Sequence, residues 1–331
     1  MYWSSASITR IVANMNELKQ RCAINCTEVQ KAYADKKKPI IYDIAPVSFD
    51  GVVAAVDSGF STKQFVSLDV MLLRSTAAVF TYKQNALVAN EYFPSRVPGV
   101  SVHCGVFSEP SDSLCFRSLL RLSAELNCAL QTVKMYSPQM LLIDGSLLPL
   151  PNDKPSKESS LHEMYAEVLQ AYNNLFATCS EMNCALVGVV KDSRSQRLCN
   201  LIEQELKQTL PVNSDEFVTD LLLSRNQRSL AFQINEENAA NVKLSDKINA
   251  FYMKAGDALP YRVEFIGGEE KADEIAANLC ALGSSQFAYP SILIEVDMRA
   301  ALTPGEITSV FNSLESVNRD LVLRSNSRPF R

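Results

Sequence analysis

The fold prediction begins at Met140-Leu-Leu-Ile-Asp144-Gly-Ser-Leu-Leu148. A short apolar run that ends in a turn signal predicts a buried strand, and the glycine after the aspartate lets the backbone turn sharply. Asp144 is therefore expected at the carboxyl end of a central strand, where open α/β sheets bind their ligands. A carboxylate there needs a positive partner, usually a metal ion. The alternative interpretation is an aspartate that only caps the segment after it.

A second stretch, Val52-Val-Ala-Ala-Val-Asp57-Ser-Gly59, repeats this pattern. It predicts a strand over residues 52–56 that ends just before Asp57. Two strands that each deliver an aspartate at an equivalent end indicate one shared site, with Asp57 beside Asp144.

The composition excludes several classes of protein. The chain has 331 residues, of which 47% are hydrophobic and 21% charged, a profile typical of a folded globular protein with a sizeable core. No apolar run approaches the ~20 residues of a membrane-spanning helix. The first residues also lack the basic start and apolar centre of a signal peptide. We therefore expect a cytoplasmic protein.

The cysteines, histidines and net charge narrow the possible chemistry. Nine cysteines, an odd number without a C-x-x-C pair, indicate reduced core thiols instead of a disulfide framework or a zinc site. Two histidines are too few for a histidine-rich metal site or a conventional histidine-based triad. The net charge of −5 argues against a broad basic surface for nucleic acid but permits a narrow basic groove.

Predicted strands and helices alternate along the chain, which makes one α/β domain with insertions the simplest architecture. The predicted helices cover about residues 7–37, 112–135, 161–179, 195–206, 215–223, 269–282, a segment after 290, and 304–323. The predicted strands cover residues 52–56, 65–80, 82–93, 140–144, 184–190, 248–253 and 261–266. We place an N-terminal helical segment at residues 1–45 and a single domain at residues 46–331, with insertions around residues 195–250.

Further carboxylates complete a candidate site. Glu125 lies in an unusually apolar part of the helix over residues 112–135, and either Asp297 or Glu295 of a late helix can face a cleft. Ordinary solvated or salt-bridged positions are the alternative interpretation of each. Carboxylates without histidines suit hard cations such as Mg²⁺ or Mn²⁺. Two such ions about 3.5–4 Å apart can activate water and stabilise the leaving oxygen of a phosphodiester. The candidates are Asp57, Glu125, Asp144 and Asp297.

The order of these motifs resembles the NurA family of archaeal and bacterial nucleases. The likeness covers about residues 50–315 and is carried by Asp57 after an early strand, Glu125 on a helix, Leu-Ile-Asp144-Gly-Ser-Leu, Val-Val-Lys191-Asp-Ser, and Ala-Tyr289-Pro290 followed by Asp297. It implies an RNase H-like core, a mixed central sheet flanked by helices, with helical insertions.

The resemblance also implies an activity. The chain would be a manganese-dependent DNA nuclease, with Mg²⁺ as the alternative ion. It would act as a 5′–3′ exonuclease and single-strand endonuclease in DNA end resection for homologous recombination. The implied metal ligands are Asp57, Glu125, Asp144 and Asp297. Tyr289 would line the site, and Lys191 would contact the scissile phosphate.

The implied partners follow from the same resemblance. They are single-stranded DNA, duplex DNA ends, a HerA-type hexameric ATPase translocase, and the Mre11–Rad50 pair in the same pathway. The chain would act as a homodimer without membrane contact. A channel lined by a few arginines would reconcile DNA binding with the acidic net charge. The candidates for this lining are Arg117, Arg121, Arg194 and Arg197.

The chain departs from the family pattern at one position. Family members usually have glycine directly after the first aspartate, whereas here Ser58 follows and Gly59 comes next. The alternative function is a non-catalytic RNase H-like adaptor or DNA clamp for a HerA-type translocase. Retention of all four acids favours the enzyme. A generic α/β protein with structural acids is the third interpretation.

Overall fold

The computed structural model describes residues 5–35, 39–65, 68–191, 193, 195–207, 209–234, 248–283 and 288–317. These residues group into two compact units. The first unit comprises the described parts of Met1–Ser48, Val189–Ile234 and Asp246–Pro290. The second unit comprises Phe49–Gly188 and the described part of Ser291–Arg331. The domain boundary placed after residue 45 stays a prediction.

The described residues contain eight α-helices, eleven strands and two short 3₁₀ helices. The helices are α1 Ser5–Asp35, α2 Pro110–Tyr136, α3 His162–Glu181, α4 Arg197–Leu206, α5 Asp215–Leu222, α6 Ala272–Leu282, α7 Ser291–Ala300 and α8 Pro304–Val317. The strands are β1 Ile41–Asp43, β2 Gly51–Gln64, β3 Asp69–Lys83, β4 Ala86–Phe93, β5 Ser101–Gly105, β6 Met140–Asp144, β7 Ala185–Val190, β8 Gln227–Ser229, β9 Phe232–Gln233, β10 Ile248–Lys254 and β11 Tyr261–Ile266. The 3₁₀ helices are Pro151–Asp153 and Glu269–Lys271.

The second unit is built on a mixed sheet. Strand β2 pairs antiparallel with β3 and parallel with β6, and β3 pairs antiparallel with both β4 and β5. Residues 53–56 of β2 and residues 140–142 of β6 are buried, as is typical of strands that are covered on both faces. Helices α2 and α7 both contact β2 and β3, and α3 packs on α2. The predicted fold class, a mixed sheet flanked by helices, is confirmed.

The last helix closes one side of the second unit. Phe311 of α8 packs into a cluster with Phe65, Val70 and Leu72. Ion pairs add to this contact: Glu306 bonds the buried Arg74, and Lys63 lies 2.6 Å from a carboxylate oxygen of Glu315. The predicted end of this helix at residue 323 lies outside the described residues.

Within the first unit, strands pair antiparallel in the order β1-β8-β10-β11, and β9 pairs with β10. The C-terminal half of α1 packs on α4 and α5 through Cys26, Val29 and Tyr33. The N-terminal half of α1 carries exposed apolar residues, Ile11, Val12, Met15 and Leu18. None of the helices described is long and apolar enough to cross a membrane.

The structure differs from the sequence predictions at the boundaries of two elements and in strand β5, for which no prediction was made. Strand β2 does not end at Val56 but continues to Gln64, because its polar second half pairs antiparallel with β3 along its whole length. Helix α2, predicted from about residue 112, begins at Pro110, and Glu109 is its N-cap. Strand β5 was not predicted, because its five residues are largely exposed and show no clear apolar alternation.

Candidate functional site

Asp57 and Asp144 lie on neighbouring parallel strands. The register pairs Val56 with Ile143, so the two aspartates come directly after a matched pair. Strand β6 ends at Asp144 whereas β2 continues past Asp57. The sequence correctly predicted that the aspartates are neighbours, although only Asp144 lies at a strand end.

Helix α7 brings Asp297 to the same place. Gly59 and Asp57 are two residues apart and so face the same side of β2. A Cβ on Gly59 would lie 2.2 Å from the carbonyl oxygen of Ala300, so the missing side chain permits the end of α7 to approach the strand. Asp297 lies on the last turn of this helix, and its charge acts on the carboxyl of Asp57.

Helix α2 supplies Glu125 from the opposite face of the sheet. Leu122, Leu126 and Ala129 are buried at helical spacing, which places Glu125 on the buried side of the helix. The Oε1 of Glu125 accepts a hydrogen bond of 2.5 Å from the Ser58 hydroxyl and another of 3.2 Å from Nη1 of Arg121. Burial raises the pKa of Glu125, and these two donors only partly oppose that rise.

The four carboxylates interact electrostatically. Burial is the main cause that raises the pKa of Asp57 to about 7, and the negative charge of Glu125 is the next. Asp144 and Asp297 raise it further, while the Ser58 N–H, 2.7 Å from Oδ1, opposes the rise. Like charges nearby disfavour the ionised form of a carboxyl group. We call Asp57, Glu125, Asp144 and Asp297 the acid cluster.

The donor chemistry of the acid cluster fits a hard divalent cation. Its ligands are all carboxylates, which Mg²⁺ and Mn²⁺ prefer. A cation would also compensate the mutual repulsion that raises the pKa of Asp57. Within the described parts of the chain, however, no group of three or more histidine, cysteine, aspartate or glutamate side chains is placed so that it could already hold a metal ion.

Lys191 and Tyr289 form a pair within the first unit. The Lys191 Nζ lies 4.2 Å from the centroid of the Tyr289 ring, a cation–π contact. Tyr289 is buried and meets the ring of Tyr261 edge to face, with centroids 5.6 Å apart. These two predicted site residues thus contact each other, and all four acids belong to the second unit.

Glu295 is not the site acid on α7. Its Oε1 accepts hydrogen bonds from the Tyr92 hydroxyl at 2.6 Å and from Nε of Arg299 at 2.8 Å. Burial is the largest single influence on the pKa of Glu295 and raises it. The hydrogen bonds from Tyr92 and Arg299 together outweigh burial, so the pKa of Glu295 is lowered. Glu295 therefore anchors α7 to β4, and Asp297 remains the candidate ligand.

The arginines proposed to line a DNA channel have local partners where they are described. Arg117 bonds Asp69 at 3.3 Å and Ser113 at 2.7 Å. Arg121 pairs with Glu125, and Arg197 donates from Nε to the carbonyl of Gln233 at 3.3 Å. Arg194 lies outside the described residues. Arg117 and Arg197 thus connect parts of their own units that are distant in the sequence, whereas Arg121 pairs within its own helix.

Ser58 is the residue whose part in the site the sequence did not reveal. It was noted only as a departure from a glycine pattern, whereas its hydroxyl binds Glu125 and its N–H binds Asp57. The only available signal was its position directly after Asp57, because the partner on α2 is 67 residues away in the chain.

The chain was compared with protein families and with solved structures. Residues 51–302 match the family profile described as the NurA domain. The crystal structure of the NurA nuclease from Sulfolobus solfataricus aligns with a TM-score of 0.64 and 17% identity, covering 94% of each chain. A NurA structure with manganese aligns with a TM-score of 0.60 and 11% identity, over 96% of this chain and 100% of that one. A NurA structure bound to dAMP and manganese gives 0.60 and 10%, over 96% and 98%. No curated protein matches the chain.

Proposed function

The chain belongs to the NurA family, and we propose that it is a metal-dependent nuclease that hydrolyses the phosphodiester bonds of DNA. One observation carries this proposal: burial and the charges of three other carboxylates, Glu125, Asp144 and Asp297, together raise the pKa of Asp57. Partly buried carboxylates that perturb one another are characteristic of functional sites.

The acid cluster would hold the metal, Mn²⁺ or alternatively Mg²⁺, through Asp57, Glu125, Asp144 and Asp297. Bound there, the metal would supply Lewis acidity and an activated water for attack on phosphorus. Ser58 and Arg121 orient Glu125 through its Oε1. The cluster itself repels the DNA backbone, so its binding to a phosphate depends on a cation.

Lys191 and Tyr289 have proposed roles of their own. Lys191 is exposed and carries a positive charge that suits a phosphate oxygen. The Tyr289 ring beneath its Nζ holds the ammonium group at 4.2 Å. We assign Lys191 to contact with the scissile phosphate and Tyr289 to the orientation of an acid or of that phosphate.

We also propose specific activities, a pathway and partners for this nuclease. They are 5′–3′ exonuclease and single-strand endonuclease activity, and a role in DNA end resection for homologous recombination. The partners are single-stranded DNA, duplex DNA ends, a HerA-type translocase, the Mre11–Rad50 pair in the pathway, and a second copy of this chain. A cytoplasmic location fits these partners. Support comes from the family match and from related NurA structures that contain manganese and dAMP.

The test is cleavage of a 5′-labelled single-stranded oligonucleotide by the full chain in Mn²⁺, Mg²⁺ or EDTA. The wild type is expected to cut in Mn²⁺ and to stop in EDTA, and Asp144→Ala is expected to cut in neither. Glu91→Gln, at an exposed carboxylate on β4, is the matched control and should cut like the wild type. A folded wild type that cuts under no metal, even with its translocase present, would contradict the nuclease.

A non-catalytic adaptor or DNA clamp is the second candidate, favoured by one observation. No three potential ligands in the described part of the chain are already placed to hold a metal. This alternative predicts that wild-type protein binds DNA or a translocase without binding Mn²⁺. Calorimetric titration with Mn²⁺ separates the two functions, because the nuclease requires metal binding that depends on Asp144.

A further inference from the structure

We propose that Ser58 is a positioning residue that fixes the two carboxylates of Asp57 and Glu125 for metal binding. The inference rests on the proposed function, since it takes these acids as metal ligands. It goes beyond that function by giving a role to a side chain that is not itself a ligand.

Ser58 contacts both carboxylates with different groups. Its backbone N–H donates to Oδ1 of Asp57 at 2.7 Å, and its hydroxyl donates to Oε1 of Glu125 at 2.5 Å. Ser58 and Glu125 are each only 8% exposed, so water competes little for the second bond. Hydrogen bonds to charged acceptors in such surroundings are short and strong.

The alternation of the strand makes this double contact possible. Asp57 and Ser58 point to opposite faces of β2, because successive side chains alternate. Asp57 shares its face with Gly59 and α7, whereas Ser58 faces α2 and Glu125. Antiparallel pairing with Thr76 and Ser75 of β3 holds the backbone of both residues. The Asp57-Ser58 dipeptide therefore connects the carboxylate of Asp57, on the face covered by α7, with the carboxylate of Glu125 on α2.

Ser58 is the donor that ties Glu125 to the sheet. The other donor, Arg121, comes from the same helix at i,i+4 spacing, and its side chain is 34% exposed. Both bonds end on Oε1 of Glu125, so among the described residues they leave Oε2 for a cation. Without the Ser58 hydroxyl, Glu125 would keep only a donor that moves with its own helix. Its position relative to Asp57 would then be less defined.

The test compares Ser58→Ala with Ser75→Ala in the full chain. Ser75 pairs with Ser58 across the sheet, but its hydroxyl lies 3.4 Å from the backbone oxygen of Asp57 and reaches no acid of the cluster. Calorimetric titration with Mn²⁺ should show an affinity about tenfold or more lower for Ser58→Ala, since partners that orient metal ligands contribute about 10–100-fold. Ser75→Ala should bind like the wild type, and Ser58→Thr, which keeps the hydroxyl, should restore most of the affinity.

Cleavage provides a second, separable measurement. For Ser58→Ala the Mn²⁺ concentration that gives half-maximal cleavage should rise by the same factor, while the rate at saturating Mn²⁺ stays within about twofold of wild type. If Ser58→Ala does not fold, Ser58→Cys replaces it, because a thiol has similar size but is a weak donor.

The results of these measurements distinguish the role of Ser58 from the nuclease function. A folded Ser58→Ala protein with wild-type Mn²⁺ affinity, or an equal loss in Ser75→Ala, overturns the role of Ser58. A wild type that binds Mn²⁺ but cuts no DNA contradicts the nuclease and leaves the effect of Ser58 on affinity measurable. A wild type that binds no Mn²⁺ overturns both.

Discussion

Buried carboxylates in this protein have two different kinds of surroundings, and Asp215 of the first unit represents the first kind. It is fully buried and accepts the N–H groups of Leu198 at 3.1 Å and Cys199 at 2.9 Å, at the start of α4. The hydroxyl of Tyr252 donates to it at 3.2 Å. Nearby in the same unit, the buried Glu264 pairs with a guanidinium at 2.7 Å. These acids are satisfied by donors and hold the first unit together.

The acid cluster of the second unit is the second kind. Asp57 accepts a hydrogen bond from the neighbouring Ser58 N–H, and three other acids act on it with like charge. Its pKa rises to about 7, with burial as the main cause. Such a cluster costs free energy in the metal-free protein. Burial alone thus does not distinguish a structural acid from a functional one; the neighbours of the carboxylate do.

The sharpest way to break this comparison is to remove one acid of each kind. Asp144→Ala is expected to lower cleavage by at least about a thousandfold and to leave the free energy of unfolding within about 1 kcal/mol of wild type. Asp215→Ala is expected to cost at least about 3 kcal/mol, because it leaves the buried N–H groups of Leu198 and Cys199 without their acceptor. Urea unfolding and cleavage per folded molecule measure both effects. Equal loss of stability in the two variants would contradict the distinction.

Metal binding sharpens the comparison further. Mn²⁺ at about 100 times its Kd should stabilise the wild type by about 2.7 kcal/mol, and EDTA should reverse this. Asp215→Asn changes only a carboxylate that is satisfied by donors, so this variant should keep the full stabilisation by Mn²⁺. Asp144→Ala removes an acid of the cluster and should lose that stabilisation. Thermal unfolding with and without Mn²⁺ provides the measurement. A response that survives Asp144→Ala would place the metal elsewhere.

The pH dependence of stability is the smallest of the expected effects. The pKa of Asp57 is about 7 in the folded protein, compared with 3.8 for an unperturbed carboxyl. Between these values the folded state binds more protons than the unfolded state, so stability falls as pH rises from about 4 to 7. We expect a fall on the order of 1–2 kcal/mol, since partial solvent contact screens the interaction.

Asp57→Asn tests this assignment directly. In EDTA, urea unfolding of the wild type should show the decline between pH 4 and 7, and the variant should show a flatter profile. An unchanged slope in Asp57→Asn would mean that another group causes the dependence.

Sequence patterns located the acids because each lies in or after an apolar run. The run before Asp144 predicted a buried strand end, and the run before Asp57 predicted its neighbour. The continuation of β2 to Gln64 could not be predicted, since its polar second half depends on pairing with β3. The apolar stripe around Glu125 indicated the buried face of α2 but not the contact with Ser58.

The partners across long chain separations were beyond sequence reasoning. Arg117 forms an ion pair with Asp69, 48 residues earlier in the chain, and is not part of an open basic surface. Cys26 of α1 contacts the carbonyl of Val218, 192 residues later, so the grouping of α1 with α5 depends on tertiary packing. Periodicity describes which side of an element is apolar, but it does not identify what covers that side.

The most direct test of the central claim is a crystal of the full chain grown with Mn²⁺, with anomalous scattering recorded at the manganese edge. The account predicts a peak within coordination distance of Asp57 and Asp144 that is lost in Asp144→Ala crystals. The same peak should also contact Glu125 or Asp297. A manganese peak only at other residues, or none at the acid cluster in a protein that cuts DNA, would contradict the account.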